Sequence, residues 1–442
     1  MSTIYGNELK SYTVTEVWDV GDWGLLLPSV HHMGKGESDR QIVLDNTHLR
    51  YEEYGVDISE NEVRVWGSYR SFVKALNKFM ELLWSDNDLT AADSLRGTIE
   101  IPKCPLKDKE DLRQLLEYLM KDEKFIYGQH MACCMNVDTI AGGYTMATGQ
   151  GPAILDFEMV QLCDRPRGEW SRVLCQLVEY AAKGGLIATM HHWYNPYSPV
   201  NGSTWGRIES KDAWNAIITR GSEPNMVFHK YLDMGAEFLG ALQAAGVPFM
   251  FRPMFEANGG WFWYGLQDGI DSEDVVNLWK YVYRYYTDEC GLTNLLWTYA
   301  PAFTDLKVEE KGSVKHSVKS YYPGDDYCDI VGCDWYTGGD YEIDSHIYDG
   351  KSYDRLAEYG KPVCLAEWGV DGNGHKKHLN SADFVETFDQ MRREGKSLAF
   401  IEVYNDSFGA PMTVGRGEAI RDYPYIIPLE DMPAYIAEAL GK

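Results

Sequence analysis

Phe249-Met-Phe-Arg-Pro-Met-Phe-Glu-Ala-Asn-Gly-Gly-Trp-Phe-Trp-Tyr-Gly265 is the stretch from which the rest of the chain is read. Residues 248–254 are apolar apart from Arg252 and read as a short buried strand. The strand stops at Glu256, and a Gly-Gly pair and a run of aromatic residues follow. A carboxylate at the mouth of an apolar strand is costly to bury unless it is paired or has a chemical task. Arg252 stands four residues before it, and Trp261, Phe262, Trp263 and Tyr264 come just after. Aromatic faces beside a carboxylate suit a sugar-binding cleft, because a pyranose ring offers flat C–H faces as well as hydroxyls. The competing reading is a structural Arg252–Glu256 ion pair beneath surface aromatics. The stretch alone leaves both open.

Outward from this strand a regular rhythm appears. A charged amphipathic helix over 107–121 precedes a buried strand over 124–129. Further apolar runs follow at 153–157, 186–190, 248–254, 294–300, 329–336, 362–368 and 398–404. Helix-like stretches at 170–182, 225–245, 274–287 and 381–394 alternate with them. Short apolar strands alternating with helices predict an α/β fold, a parallel (β/α)8 TIM barrel over residues 105–442. A doubly wound open sheet is the competitor, but it calls for a Gly-rich phosphate loop after an early strand. Gly142-Gly143 and Gly184-Gly185 lack that context. Residues 1–104 read as a separate mixed α/β extension: residues 12–18 and 62–66 alternate as half-exposed strands do, and 71–84 has helical spacing.

Composition narrows the partners. The 67 acidic and 41 basic residues give a net charge of −26, which repels nucleic acid and anionic membranes and suits a neutral ligand. The apolar fraction of 45% is ordinary for a globular protein, whereas 14 Trp and 30 Tyr are many. No apolar run is long enough to predict a membrane span. The first residues lack the apolar core of a signal peptide, so the expectation is a cytoplasmic protein, or a secreted one given without its leader. The nine cysteines form no CxxC pair and read as free thiols rather than a disulfide framework or a zinc site. Oligomeric state is not set by these features.

In such a barrel the functional residues gather at the C-terminal ends of the strands. Those ends carry His130, then Asp156 and Glu158, then His191-His-Trp193, Glu256, Asp334-Trp-Tyr336, Glu367-Trp368 and Glu402-Val-Tyr404. Glu256 on the fourth strand and Glu367 on the seventh face each other across the barrel mouth. Glycoside hydrolysis needs such a pair, and about 5–5.5 Å of separation gives the retaining route. In that reading Glu367 is the nucleophile and Glu256 the acid, later the base. Tyr336 and Arg252 are placed to hydrogen-bond Glu367. The candidate substrate-binding set is His130, His192, Trp193, Arg252, Asn258, Trp261, Trp263, Tyr336, Trp368 and Tyr404. Adjacent residues on a strand point to opposite faces, so one of His191 and His192 faces the cleft and the other is packed. Three alternatives stay open. Glu367 serves as a structural partner of Arg252, the barrel binds sugar without cleaving it, or Asp156 and Glu158 hold a metal with a histidine. The preferred chemistry needs an oligo- or polysaccharide, no metal and no organic cofactor.

Taken together, these segments resemble glycoside hydrolase family 26, the retaining β-mannanases and their relatives, over roughly residues 105–410. Arg252-Pro-Met-Phe-Glu-Ala-Asn-Gly-Gly-Trp-Phe-Trp263 is similar to that family's acid/base segment, and Leu365-Ala-Glu-Trp-Gly369 to its nucleophile segment. The resemblance implies Glu256 as acid/base, Glu367 as nucleophile, and sugar-contacting roles for His192, Trp261 and Tyr336. Tyr321-Tyr-Pro-Gly-Asp-Asp326 and Gly128-Gln-His130 add to it. It implies action on β-1,4-mannan, with mixed-linkage glucan and β-1,3-xylan as further substrates of such enzymes. Two positions depart from the pattern: Phe255 stands where the family usually has His, and Tyr404 where a Trp is typical.

Overall fold

The computed structural model describes residues 103–131, 136–165, 167–198, 203–302, 317–337, 351–370, 381–404 and 417–442, and four strands before them. Those four are β1 (Glu16–Asp19), β2 (Thr47–Tyr51), β3 (Tyr54–Ile58) and β4 (Glu62–Trp66). They form an antiparallel sheet in the order β1-β4-β3-β2. The alternation at 62–66 coincides with β4, and that at 12–18 overlaps β1. The helix expected over 71–84 lies outside the described residues.

Eight parallel strands form the barrel. They are β5 (Phe125–His130), β6 (Ile154–Glu158), β7 (Leu186–His191), β8 (Phe249–Pro253), β9 (Leu295–Tyr299), β10 (Ile330–Thr337), β11 (Val363–Val370) and β12 (Phe400–Val403). Each pairs with the next in chain order, and β12 returns to β5 with Phe400 opposite Ile126 and Val403 opposite Gln129. Closure leaves no exposed edge around the ring, and the helices outside cover its outer face. That double burial explains why the strands read as nearly continuous apolar runs. A short strand, β13 (Ile426–Ile427), adds to the start of β5 and so lies at the N-terminal end of the barrel.

The helices Lys109–Lys121, Arg167–Ala182, Glu223–Ala244, Ser272–Arg284 and Ser381–Arg393 match the helical spacing in the sequence. The helix Val137–Thr148 does not, because Gly142 and Gly143 dilute its propensity. It is fixed at its ends instead: the Asn136 side chain accepts the Thr139 N–H at 3.1 Å, and Gly149 ends it at φ 83°. The cysteines among the described residues are free thiols. No helix among those residues is long and apolar enough to cross a membrane.

The strands turn polar at their C-terminal ends, on the inside. Asp156, Arg252, Asp334 and Glu402 come from the alternate strands β6, β8, β10 and β12. Alternate strands supply the side-chain layers of a TIM barrel, which branched apolar residues usually fill. Here ionisable groups stand in the barrel interior, and all are almost wholly buried.

Candidate active site

The chain leaves β8 through a tight turn. Met254 and Glu256 have φ of 49° and 53°, two of the three non-glycine residues in the left-handed region among the described residues. Such strain persists only where the surroundings over-determine it, and it clusters at functional sites. Here the surroundings are explicit. The Glu256 N–H donates to the Ala300 carbonyl at 2.8 Å, and Asn258 bonds Ala302 through both its amide nitrogen (2.9 Å) and its oxygen (2.7 Å). These contacts pin the turn to the end of β9. The Trp261 indole then folds back over Gly259, where a Cβ would meet the ring at 2.2 Å, and donates its Nε1–H to Glu256 Oε2 at 2.7 Å.

Glu367 stands opposite. Register shifts in β10 between Cys333 and Asp334, and between Leu365 and Trp368 where β11 meets β12, re-aim the side chains at this level. Glu367 Oε1 accepts from Arg252 Nη1 at 2.8 Å, and Oε2 accepts from the Tyr336 hydroxyl at 2.6 Å. Burial and the nearby Glu367 and Glu256 carboxylates raise the Tyr336 pKa well above that of an ordinary phenol, so it remains a donor. An oxygen from each of Glu256, Asp334 and Glu367 lies within 4.8 Å of the others.

Arg252 organises the floor. Its Nη1 also donates to Asp334 at 2.9 Å, and its Nη2 to Asp156 at 3.1 Å, with His130 Nε2 at 3.0 Å. Burial disfavours the charge, but the surrounding carboxylates, Asp334 foremost, outweigh it and fix the guanidinium as a cation. The His130 ring, wholly buried, packs against Tyr404 at 4.9 Å.

The two adjacent histidines divide as strand geometry requires. His191 is buried against Trp193, and burial pushes its pKa down to about 3, so it stays neutral. His192 is partly open to the cleft; its ring Nδ1 meets Glu158 Oε2, and its backbone N–H donates to Glu158 Oε1 at 3.1 Å. Burial opposes charge on this ring, but the Glu158 carboxylate outweighs it and raises the His192 pKa. Asp156 and Glu158 therefore take different histidines and do not converge on one metal. The set His130, Asp156 and Glu402 is compact, but Arg252 Nη2 already stands within 3.0–3.1 Å of two of its members.

Of the candidate binding residues, His192, Trp261, Tyr336 and Tyr404 surround the Glu256–Glu367 gap, with Arg252 and His130 beneath. Four others lie elsewhere and are corrected here. Trp193 and Trp263 are buried and pack on Phe228, with the Trp263 Nε1–H on the Trp193 carbonyl at 2.7 Å. Trp368 alternates with Glu367 along β11, so it points out of the barrel onto Phe388, with ring centroids 4.8 Å apart. Asn258 is the buried clamp to Ala302 already described. Asp334, Glu402 and the Glu158–His192 pairing were absent from that set. Their signal was a lone acid inside an apolar strand, as in Phe400-Ile-Glu-Val403.

Phe255 is also clarified. It is buried, lies over the Arg252 guanidinium at 4.6 Å, and meets the His192 ring edge-on at 4.4 Å. Its ring packs within the floor, with its face towards the cation. Truncation to Ala is expected to cost about 3–5 kcal/mol of stability. Urea unfolding measures this, and a change below about 1 kcal/mol contradicts the packing role.

The arrangement presents two opposed carboxyl groups, one with donors on both oxygens and one held by an indole, beneath aromatic walls. That is equipment for cleaving a glycosidic bond. The family model for glycosyl hydrolase family 26 matches residues 106–390. A mannan endo-1,4-β-mannosidase of Bacillus subtilis is 29% identical over 287 residues, 61% of this chain and 71% of the relative. Endoglucanase H of Acetivibrio thermocellus is 25% identical over 207 residues, 42% of this chain and 21% of the relative. The solved structure of a Bacillus subtilis mannanase superposes with a TM-score of 0.58 at 22% identity, covering 74% of this chain and 96% of that one. At that identity the superposition speaks for the fold alone, and the family model, spanning well over half of the chain, settles the rest: this protein belongs to glycosyl hydrolase family 26 and is a glycoside hydrolase.

Proposed function

We propose that the chain hydrolyses β-1,4-linked mannan or manno-oligosaccharides with retention of configuration, the catalytic unit being residues 105–442. Glu367 attacks the anomeric carbon as Glu256 protonates the departing glycosidic oxygen. The glycosyl–Glu367 ester then forms, and the aglycone leaves with its new proton. Glu256, now a base, takes a proton from water, which attacks the anomeric carbon and releases Glu367. The observation that carries this reading is the close approach of Glu256 and Glu367, within 4.8 Å oxygen to oxygen, since an inverting pair needs about 6.5–9.5 Å for the intervening water. Arg252 and Tyr336 aim Glu367, leaving the sugar to be held by His192, Trp261 and Tyr404.

The mannan assignment is supported by the activity named for the Bacillus subtilis relative. Proton NMR of a mannohexaose digest tests it: the first-formed reducing end is expected to be the β anomer. An α anomer contradicts the two-step route. A β-glucan is the second reading, favoured by the endoglucanase relative, and cleavage of cellohexaose in preference to mannohexaose selects it.

A further inference from the structure

Beneath the catalytic pair the charges do not balance, and this imbalance has a consequence that deepens the mechanism proposed above. Asp156, Asp334, Glu367 and Glu402 are at most 3% exposed. Among the described residues, Arg252 is the one arginine or lysine in an ion pair with any of them. Four carboxylates, if all were ionised, would leave three negative charges in this buried interior that the one guanidinium does not compensate. Buried charge of that kind is relieved by binding protons.

The contacts indicate where one proton sits. Asp156 receives Arg252 Nη2 and His130 Nε2, and Glu367 receives Arg252 Nη1 and the Tyr336 hydroxyl. Glu402 forms no ion pair among the described residues: its Oε1 has no hydrogen-bond partner, Asp156 Oδ1 has none either, and an oxygen of each carboxyl lies within 4.8 Å of the other. Two buried carboxyl groups this close, each with an orphaned oxygen, are relieved when one holds a proton and donates it to the other.

We propose that Glu402 is a neutral carboxylic acid in the working enzyme, that it donates its proton to Asp156, and that this bond holds the Asp156–Arg252–Glu367 chain in line. Glu402 is thus a positioning residue for the nucleophile. The titratable and charged groups around it are His130 from β5, Asp156 from β6, Arg252 from β8, and Cys364 and Glu367 from β11, with Tyr180 from the helix Arg167–Ala182. Burial and then the Asp156 charge push the Glu402 pKa well above that of an ordinary glutamate, against Arg252. Burial acts the same way on Asp156, but His130 and Arg252 outweigh it and lower the Asp156 pKa. The cluster His130, Asp156 and Glu402 has the size of a cation site, but the guanidinium already supplies the positive charge there.

Linkage gives the test its sign. The folded chain keeps a Glu402 proton that the unfolded chain releases above about pH 4.3. Stability from this group is therefore full below that pH and declines as pH rises towards the folded value. In Glu402→Gln the amide still donates to Asp156, so the thermal midpoint is expected to fall less with rising pH than in the wild type. The infrared carbonyl band of a protonated carboxyl is expected to shrink in the same comparison. Glu402→Ala, lacking the donor, is expected to lower kcat roughly tenfold with KM little changed, and Gln to rescue most of that loss. An unchanged protonated-carboxyl band, or parallel pH dependences of the midpoint, overturns the proposal. Should the variants fail to fold, the wild-type chain with carboxyl-13C glutamate decides by NMR. A glutamate other than Glu256 that stays protonated at neutral pH supports the assignment, and its absence refutes it. The thermal, infrared and NMR readouts need no substrate, so they stand or fall independently of the stereochemical test.

Discussion

Glu256→Ala is expected to lower hydrolysis of mannohexaose about a hundredfold to ten-thousandfold, the range that general acid–base catalysis supplies. An aryl β-manno-oligosaccharide with a good leaving group needs no proton donor, so its first step is expected to survive. The glycosyl–enzyme ester then accumulates, because no base activates water. Azide, which needs no base, is expected to restore turnover and to give a β-glycosyl azide. Glu367→Ala removes the group that forms the ester and is expected to abolish hydrolysis of both substrates. Azide filling the space it vacates gives the α-azide. The geometry motivates the asymmetry: Glu367 is held by the Arg252 guanidinium and the Tyr336 hydroxyl, whereas Glu256 accepts from the Trp261 indole at the cleft wall. Normal turnover in either variant sinks the assignment.

The second large effect is expected at Arg252. Its two terminal nitrogens reach Asp156, Asp334 and Glu367, all buried. Removing one partner of a buried ionic network strands the others, at about 3–5 kcal/mol. Arg252→Ala is therefore expected to lose that much in urea unfolding, together with most activity. Lys is expected to rescue little, since a single ammonium on a flexible stem cannot present the planar fork to groups on three strands. An Arg252→Ala protein as stable as the wild type contradicts this account of the barrel floor.

Much of the barrel was legible in the sequence because parallel strands buried on both faces leave apolar runs that few other structures produce. All eight strands lie within two residues of those runs at either end. The helix Val137–Thr148 was not legible, since its stability comes from its caps and packing while its glycines argue against it. The site divides similarly. Glu256, Glu367, Tyr336 and Arg252 could be placed together at one barrel mouth from the sequence because strand ends converge in this topology and a charged residue in an apolar run stands out. Trp193 and Trp263 were misplaced because an aromatic residue just beyond a strand faces cleft or core according to how the loop folds. Trp368 was avoidable: next to Glu367 on one strand, it must face away from it. Phe255 needed the three-dimensional structure, for its buried position over the Arg252 guanidinium follows from the left-handed residues on either side.

The central claim is that Glu367 becomes covalently bonded to the sugar. The most direct measurement is mass spectrometry of the protein after exposure to a 2-deoxy-2-fluoro manno-oligosaccharide carrying a good leaving group. The fluorine slows both steps, and the leaving group restores only the first, so the ester accumulates. The account predicts inactivation with one adduct, on the peptide containing Glu367. An adduct on a different residue, or turnover with no adduct and an inverted product, contradicts it.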